Sequence, residues 1–293
     1  NISGIKNALQ GGFNVNKRHS NGYTILMFAC SRDNLKIIEI LLDKGADINA
    51  TNTEGNTALM LICEYGKPEV VKLLISKGAN INIINSIGFT ALMYACRGSN
   101  LEIVKLLLSG HAYKDFRDRE GKTALMYASC ENHDEVVKLL LAGGADVNER
   151  DKNGWTALMH ACYNLDFRKV KLLLSSGADI SMKDKDGRTA LMIACESEQL
   201  EMVKLLISKG ADVNATDSYG RTALMSACGI GLGARICIRT SGSLKIVEFL
   251  LLNGADVNVK SKYGNTAIKE AKSYSRVDKE KIIRLLQLAG AVE

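Results

Sequence analysis

Proline is nearly absent: Pro68 is the only one in 293 residues. That scarcity excludes proline-rich linkers and collagen-like segments. No apolar run reaches eighteen residues, so no membrane-spanning helix is expected. The chain opens Asn1-Ile2-Ser3 without a charged-then-apolar leader, and no targeting signal is expected from it. Catalytic signatures are missing too: there is no nucleophile elbow in a Ser-His-Asp order, no His-Glu-x-x-His and no Gly-x-x-x-x-Gly-Lys-Thr. Gly229-Ile230-Gly231-Leu232-Gly233-Ala234 has the spacing of a dinucleotide fingerprint. It follows a helical segment rather than a strand, with no βαβ unit around it, so the context fails. Neither an enzyme nor a cofactor is expected.

What is present is ample core material. Apolar residues make up 46% of a 31.8 kDa chain, enough for two ordinary domains or one elongated array. The formal charge is +6, unevenly placed. Residues 1–228 carry 27 basic and 26 acidic side chains; residues 229–293 carry 11 and 6, the basic ones near Lys260, Lys262, Lys269, Lys272, Arg276 and Lys279. Such an end reads as a solvated face or as a contact for an acidic partner.

Self-similarity decides the architecture. Gly-x-Thr-Ala-Leu-Met recurs at Gly55, Gly88, Gly121, Gly154, Gly187 and Gly220, preceded by Gly22-Tyr23-Thr24-Ile25-Leu26-Met27 and followed by Gly264-Asn265-Thr266-Ala267-Ile268. Six intervals are 33 residues and the last is 44. A fixed period of that size is one supersecondary unit stacked on itself. Thr57 suits a helix N-cap, because its hydroxyl can accept from an orphan N–H ahead of good helix formers. The second helix, as in Leu101 to Leu108, is apolar round most of its circumference and must be sandwiched. It stops at a Gly able to take the left-handed conformation, as in Gly210-Ala211-Asp212-Val213-Asn214. About eight turn-prone residues then lead to the next Gly-x-Thr, room for a short hairpin.

At these residues the chain resembles the ankyrin-repeat family. The resemblance runs from Ile5 to Val292 and implies an all-α repeat solenoid, elongated and curved. Its helix-turn-helix units would be joined by short β-hairpin fingers. A single domain over 1–293 is expected: a half-repeat at 1–16, seven full repeats over 17–258, and a capping repeat at 259–293. The family usually carries Thr-Pro-Leu-His where this chain has Thr-Ala-Leu-Met. Ala loses proline's preset φ, and Met replaces a hydrogen-bonding His by apolar filler. A polar tie between turn and helix is therefore expected to be absent. His111 stands in a glycine slot, where it is expected to be strained.

Cys30, Cys63, Cys96, Cys162, Cys195 and Cys228 share one repeat slot, filled by Ser129 in the fourth repeat. Stacked helices lie ~8–10 Å apart, too far for the Cα separation of about 7 Å at most that a disulfide needs. The ladder reads as buried filler in a reducing, cytoplasmic compartment. Seven methionines from Met27 to Met225 form a second ladder. Cys130-Glu131-Asn132-His133 has zinc-like spacing near His160 and Cys162, but donors a repeat apart do not converge on one metal, so none is expected. Lys72, Lys105, Lys138, Lys171 and Lys204 read as solvated i,i+3 partners of acids.

Eleven extra residues lie within 229–243, between the helices of the seventh repeat, and carry Arg235, Cys237 and Arg239. Long loops are tolerated cheaply; a partner contact through Arg235 and Arg239 is the functional reading. Slots that vary inside the fixed repeat are the informative ones. They supply Tyr23, Tyr65, Phe89, Tyr94, Lys122, Tyr127, Trp155, His160, Tyr163, Arg188 and Arg221. The resemblance implies that finger tips and first helices line a concave groove for protein binding, and Tyr, Trp and Arg are frequent interface anchors. A non-catalytic, monomeric module for a protein partner is the leading expectation, with nucleic acid not expected. The alternative is a sensor of an anionic small ligand or oligonucleotide, with Trp155 stacking and Lys/Arg contacts to phosphate.

Overall fold

The computed structural model describes residues 11–131, 134–229, 242–273 and 278–292. The chain falls into two compact units, Asn1–Asp146 and Val147–Glu293. Unit 1 holds α1 (Ile25–Ser31), α2 (Leu35–Asp43), α3 (Ala58–Cys63), α4 (Pro68–Ser76), α5 (Ala91–Arg97), α6 (Leu101–Ser109), α7 (Ala124–Cys130) and α8 (Asp134–Ala142). Unit 2 holds α9 (Ala157–Tyr163), α10 (Phe167–Ser175), α11 (Ala190–Glu196), α12 (Leu200–Ser208), α13 (Ala223–Cys228), α14 (Gly242–Leu252), α15 (Ala267–Ser273) and α16 (Lys279–Leu288). Each pair is one sequence repeat.

Within unit 1 the first helices α1, α3, α5 and α7 pack in succession, and α4, α6 and α8 pack beside them. In unit 2, α9, α11, α13 and α15 form one layer and α10, α12, α14 and α16 the other. The hexapeptide Gly-x-Thr-Ala-Leu-Met, recurring every 33 residues, explains the first layer. Thr24, Thr57 and Thr90 each accept a hydrogen bond from the Met backbone N–H three residues on, at 3.2–3.3 Å. Thr156, Thr189 and Thr222 repeat this in unit 2. The Leu and Met that follow are buried in every described repeat of the ladder, each worth about 1.5–3 kcal/mol of burial. Thr123 departs from the pattern, its hydroxyl buried without a partner. Pro68 occupies the first position of α4, where its missing N–H is no loss.

The second helices stop where the sequence places glycine. Gly45, Gly78, Gly144, Gly177, Gly210, Gly254 and Gly290 take φ between 81° and 92°, and His111 is forced into the same region at φ 64°. The strain expected at His111 is therefore present. The members of the cysteine slot behave alike: Cys30, Cys63, Cys96, Cys162, Cys195 and Cys228 are all buried. Ser129 in that slot satisfies its hydroxyl by donating to the Leu125 carbonyl at 2.7 Å.

The fingers are turns rather than extended hairpins. Among the described residues no strand forms, and antiparallel pairing is limited to the single bridges Arg18–Thr24, Thr51–Thr57 and Thr216–Thr222. What closes five of the fingers is a buried Asn or Asp at the base: Asn52, Asn85, Asp118, Asp151 and Asp184. Asn52 Oδ1 accepts from the N–H of Glu54 and Asn56 at 3.0 and 2.9 Å. Asp118 does the same for Glu120 and Lys122, and Asp151 for Asn153 and Trp155, at 2.8–2.9 Å. Neighbouring fingers are then tied tip to tip, Ser86 N–H to the Glu54 carbonyl at 2.9 Å and Arg119 N–H to Ile87 at 2.9 Å. Gly55 is needed twice over there: its φ is 81°, and a Cβ would meet the Ser86 nitrogen at 2.8 Å.

A second ladder uses the Asn that follows Gly-Ala-Asp-x. Asn148 accepts from the Asp179 N–H at 2.8 Å and donates to the Gly177 carbonyl at 3.3 Å, both one repeat on. Asn214 does so with Asp256 and Gly254 across the longer interval. The tip bond from Lys262 N–H to Tyr219 is likewise intact at 2.8 Å. The eleven extra residues thus leave the register of unit 2 undisturbed. They fall between α13 and α14, and Arg235, Cys237 and Arg239 lie outside the described residues.

Candidate functional site

The varying slots gather into two aromatic clusters, one inside each unit. In unit 1, Phe89 sits between Tyr94 and Tyr127 with ring centroids 5.1 Å from each. The Arg97 guanidinium, at the end of α5, lies 5.2 Å from the Phe89 ring centre and 5.1 Å from that of Tyr94. Each such cation–ring contact is worth about 0.5–1 kcal/mol at a half-exposed site. Arg97 also forks onto Glu64, Nε to Oε1 at 2.9 Å and Nη2 to Oε2 at 2.7 Å. Burial pushes the Glu64 carboxyl up, but the hydrogen bonds from Arg97 and Tyr65 and the Arg97 charge outweigh it and hold the group below the usual range. Lys122 reaches over the Tyr127 ring at 5.8 Å.

In unit 2, Trp155 lies 5.1 Å from the His160 ring and 5.4 Å from Tyr163, with Arg188 5.8 Å over its face. Its indole N–H donates to Asp184 Oδ2 at 3.2 Å. Arg188 is held by Asp184 at 2.9 Å and lies 3.8 Å from Glu196. Burial raises the Glu196 carboxyl despite the charges of Arg188 and Arg221. Arg221 is half-buried, and its Nε has no hydrogen-bond partner.

These clusters overturn one sequence expectation. The polar tie between finger and first helix is present, supplied by the residue after Met rather than by Met's own position. The Tyr127 hydroxyl donates to Asp118 Oδ2. His160 Nε2 lies 3.0 Å from Asp151 Oδ2. The Tyr94 hydroxyl accepts from Asn85 at 3.1 Å and donates to Asn56 at 3.2 Å, joining two fingers. Burial, with the Asp118 hydrogen bond next, raises the Tyr127 hydroxyl well above its ordinary range.

The predicted site residues therefore differ in what they can present. Tyr65 is 85% exposed. Tyr94, Lys122, Tyr127, Trp155, Tyr163, Arg188 and Arg221 are half-buried. Phe89, 4% exposed, and His160, 8% exposed, support their neighbours from below. Tyr23 stands apart, its ring 5.5 Å from that of Phe28, which packs on His19. Arg97 and Glu64 organise the unit 1 cluster. Arg97 directly follows Cys96 of the cysteine slot, and an acid at the same slot one period earlier, Glu64, is the signal that could have found it. The buried finger carboxylates were missed because Asp in a turn reads as solvated.

Among the described residues, no helix is long and apolar enough to cross a membrane. Nor does any group of three or more His, Cys, Asp or Glu there have the arrangement to hold a metal ion. Burial raises the ladder thiols, Cys30 to about 12 and Cys63, Cys96, Cys162 and Cys195 further. No curated protein matches the chain. The family model for ankyrin repeats (3 copies) matches residues 1–85, 82–151, 112–184, 141–217 and 158–260.

Proposed function

The chain belongs to the ankyrin-repeat family, and on that premise we propose that it is a non-catalytic scaffold that binds a partner protein through its fingers and first helices. Ankyrin repeats are generally protein–protein interaction modules. The observation that carries the reading is the pair of pre-ordered clusters. Tyr94 and Tyr127, with Trp155 and Tyr163, are locked by hydrogen bonds and ring contacts while part of their surface stays open. Rigid aromatic side chains lose little entropy on docking. The sensor of an anionic ligand is less well supported, since Arg188 is already engaged by Asp184 and Glu196. Free, deeply buried thiols fit a reducing, cytoplasmic setting.

The test is affinity capture from a cognate lysate with wild type, Tyr127→Ala and Trp155→Ala chains, each checked for an unchanged circular-dichroism melt. A specific protein held by wild type and released by either substitution is the expected result. Capture that neither substitution changes would remove the clusters from the binding surface.

A further inference from the structure

The exposed charge on the finger tips of unit 2 is mostly positive. Their acids are turned inward: Asp151, Asp184 and Asp217 each accept two backbone N–H groups of their own finger. The flanking residues face out. Lys152, Lys185, Lys260 and Lys262 are exposed, and none of them forms an ion pair among the described residues. Lys183 and Arg150 are exposed as well, donating to the Thr216 and Lys183 carbonyls at 2.8 and 2.7 Å. Asp186 is the exposed acid of the tips, and Arg188 lies 3.9 Å from it. Where the third finger has Thr216 and Ser218 in the lysine slots, Tyr219 stacks on Tyr263 of the next finger at 6.2 Å, and Tyr263 is 74% exposed.

The row is rigid. Lys185 N–H bonds the Asn153 carbonyl at 2.9 Å, Ser218 the Asp186 carbonyl at 2.7 Å, and Lys262 the Tyr219 carbonyl at 2.8 Å. Equivalent lysines therefore repeat at the helix spacing of the stack, ~10 Å. An extended peptide in the polyproline II conformation advances ~3.1 Å per residue with about three residues per turn, so every third side chain returns to the same face at close to that spacing.

We propose that the finger tips of unit 2 form a docking strip for an extended acidic peptide segment of a partner protein. Its carboxylates fall at every third residue, opposite Lys152, Lys185 and Lys262, and an apolar residue faces the Tyr219–Tyr263 stack. Charge complementarity selects the occupant. A peptide can leave a gap opposite Asp186 and the uncharged third finger, whereas a phosphate strand carries charge on every unit and meets that carboxylate. The strip rests on the reading of the chain as a protein-binding scaffold but uses none of the aromatic-cluster side chains.

The experiment is fluorescence anisotropy of the full chain with a labelled peptide of Glu-Ser-Gly repeats carrying one Leu in place of the third Glu. Binding that weakens with salt is expected, with about tenfold loss in Lys185→Glu/Lys262→Glu. A smaller loss is expected in Tyr263→Ala, and none in Trp155→Ala. All substituted side chains but Trp155 are exposed, and melting curves confirm that each variant folds. A Gln-for-Glu peptide, and one with its glutamates in a single block, should bind more weakly. The strip is overturned if the peptide does not bind, if charge reversal leaves affinity unchanged, or if the blocked peptide binds as well. Tighter binding of labelled oligothymidine would assign the surface to nucleic acid and also overturn it. Loss on Trp155→Ala alone would move the peptide to the aromatic cluster, rejecting the strip while supporting the scaffold reading.

Discussion

Asp151 carries two loads at once: it closes its finger through the N–H groups of Asn153 and Trp155, and it receives His160. Burial raises its carboxyl, but the His160 hydrogen bond, the backbone N–H groups of Trp155 and Asn153 and the His160 charge win, leaving it below the ordinary value. Its stabilising contribution is therefore complete above about pH 4 and is lost as pH falls through the lower, folded value. Acid titration followed by circular dichroism should show that loss in wild type and a shallower one in Asp151→Asn. His111 makes the opposite case. Its φ of 64° belongs to a slot that seven other repeats fill with glycine. His111→Gly relieves that strain and should stabilise by about 1 kcal/mol in urea melts, net of the entropy glycine adds to the unfolded chain. The strain at His111 was legible because the repeat supplies its own control. The role of Asp151 was not, because one sequence does not reveal which turn acids point inward.

Among the helices, α10 breaks the pattern of its layer. Lys169 stands where Val70, Ile103, Val136 and Met202 are buried, and it is itself 1% exposed. Asp166 answers it twice, capping α10 through the Lys169 N–H at 3.0 Å and pairing with its ammonium. Asp166→Ala removes the cap and a charged partner of a buried ammonium, so it should cost about 3 kcal/mol. Asn34→Ala, which loses the equivalent cap of α2 alone, should cost about 1 kcal/mol. Denaturant midpoints of the two variants decide it, and equal losses would show that the Lys169 pair adds nothing. Helix positions and caps were readable from the spacing of Thr, Gly and apolar residues. The finger's true form was not: its closure depends on a side-chain oxygen bonding two N–H groups, which composition alone does not distinguish from strand pairing.

Across the whole chain, the cysteine slot reports on each repeat separately. In a Cys237→Ser background, a thiol reagent at pH 8 should label half-exposed Cys130 quickly in the native state and the six buried thiols slowly. Within unit 1, Cys30 should precede Cys63 and Cys96, because burial raises its thiol least. Rapid labelling of all seven would contradict the buried ladder. The repeat order, the insert and the cysteine ladder were all visible as periodicity. The two aromatic clusters were visible only as a set of variable slots, since the rings that touch lie 5, 8 or 38 positions apart, spacings that the 33-residue period does not single out. The tip-to-tip hydrogen bonds carry one more consequence, for how such a gene can change. A deletion of one or two codons in a finger moves that finger's N–H away from the carbonyl of its neighbour. Loss or duplication of a whole period, the product of misaligned recombination between near-identical repeats, leaves each remaining tip facing a partner. Fingers can therefore be gained or lost only in whole steps, whereas the turn between the two helices of a repeat takes extra residues without breaking the row, as the seventh repeat does.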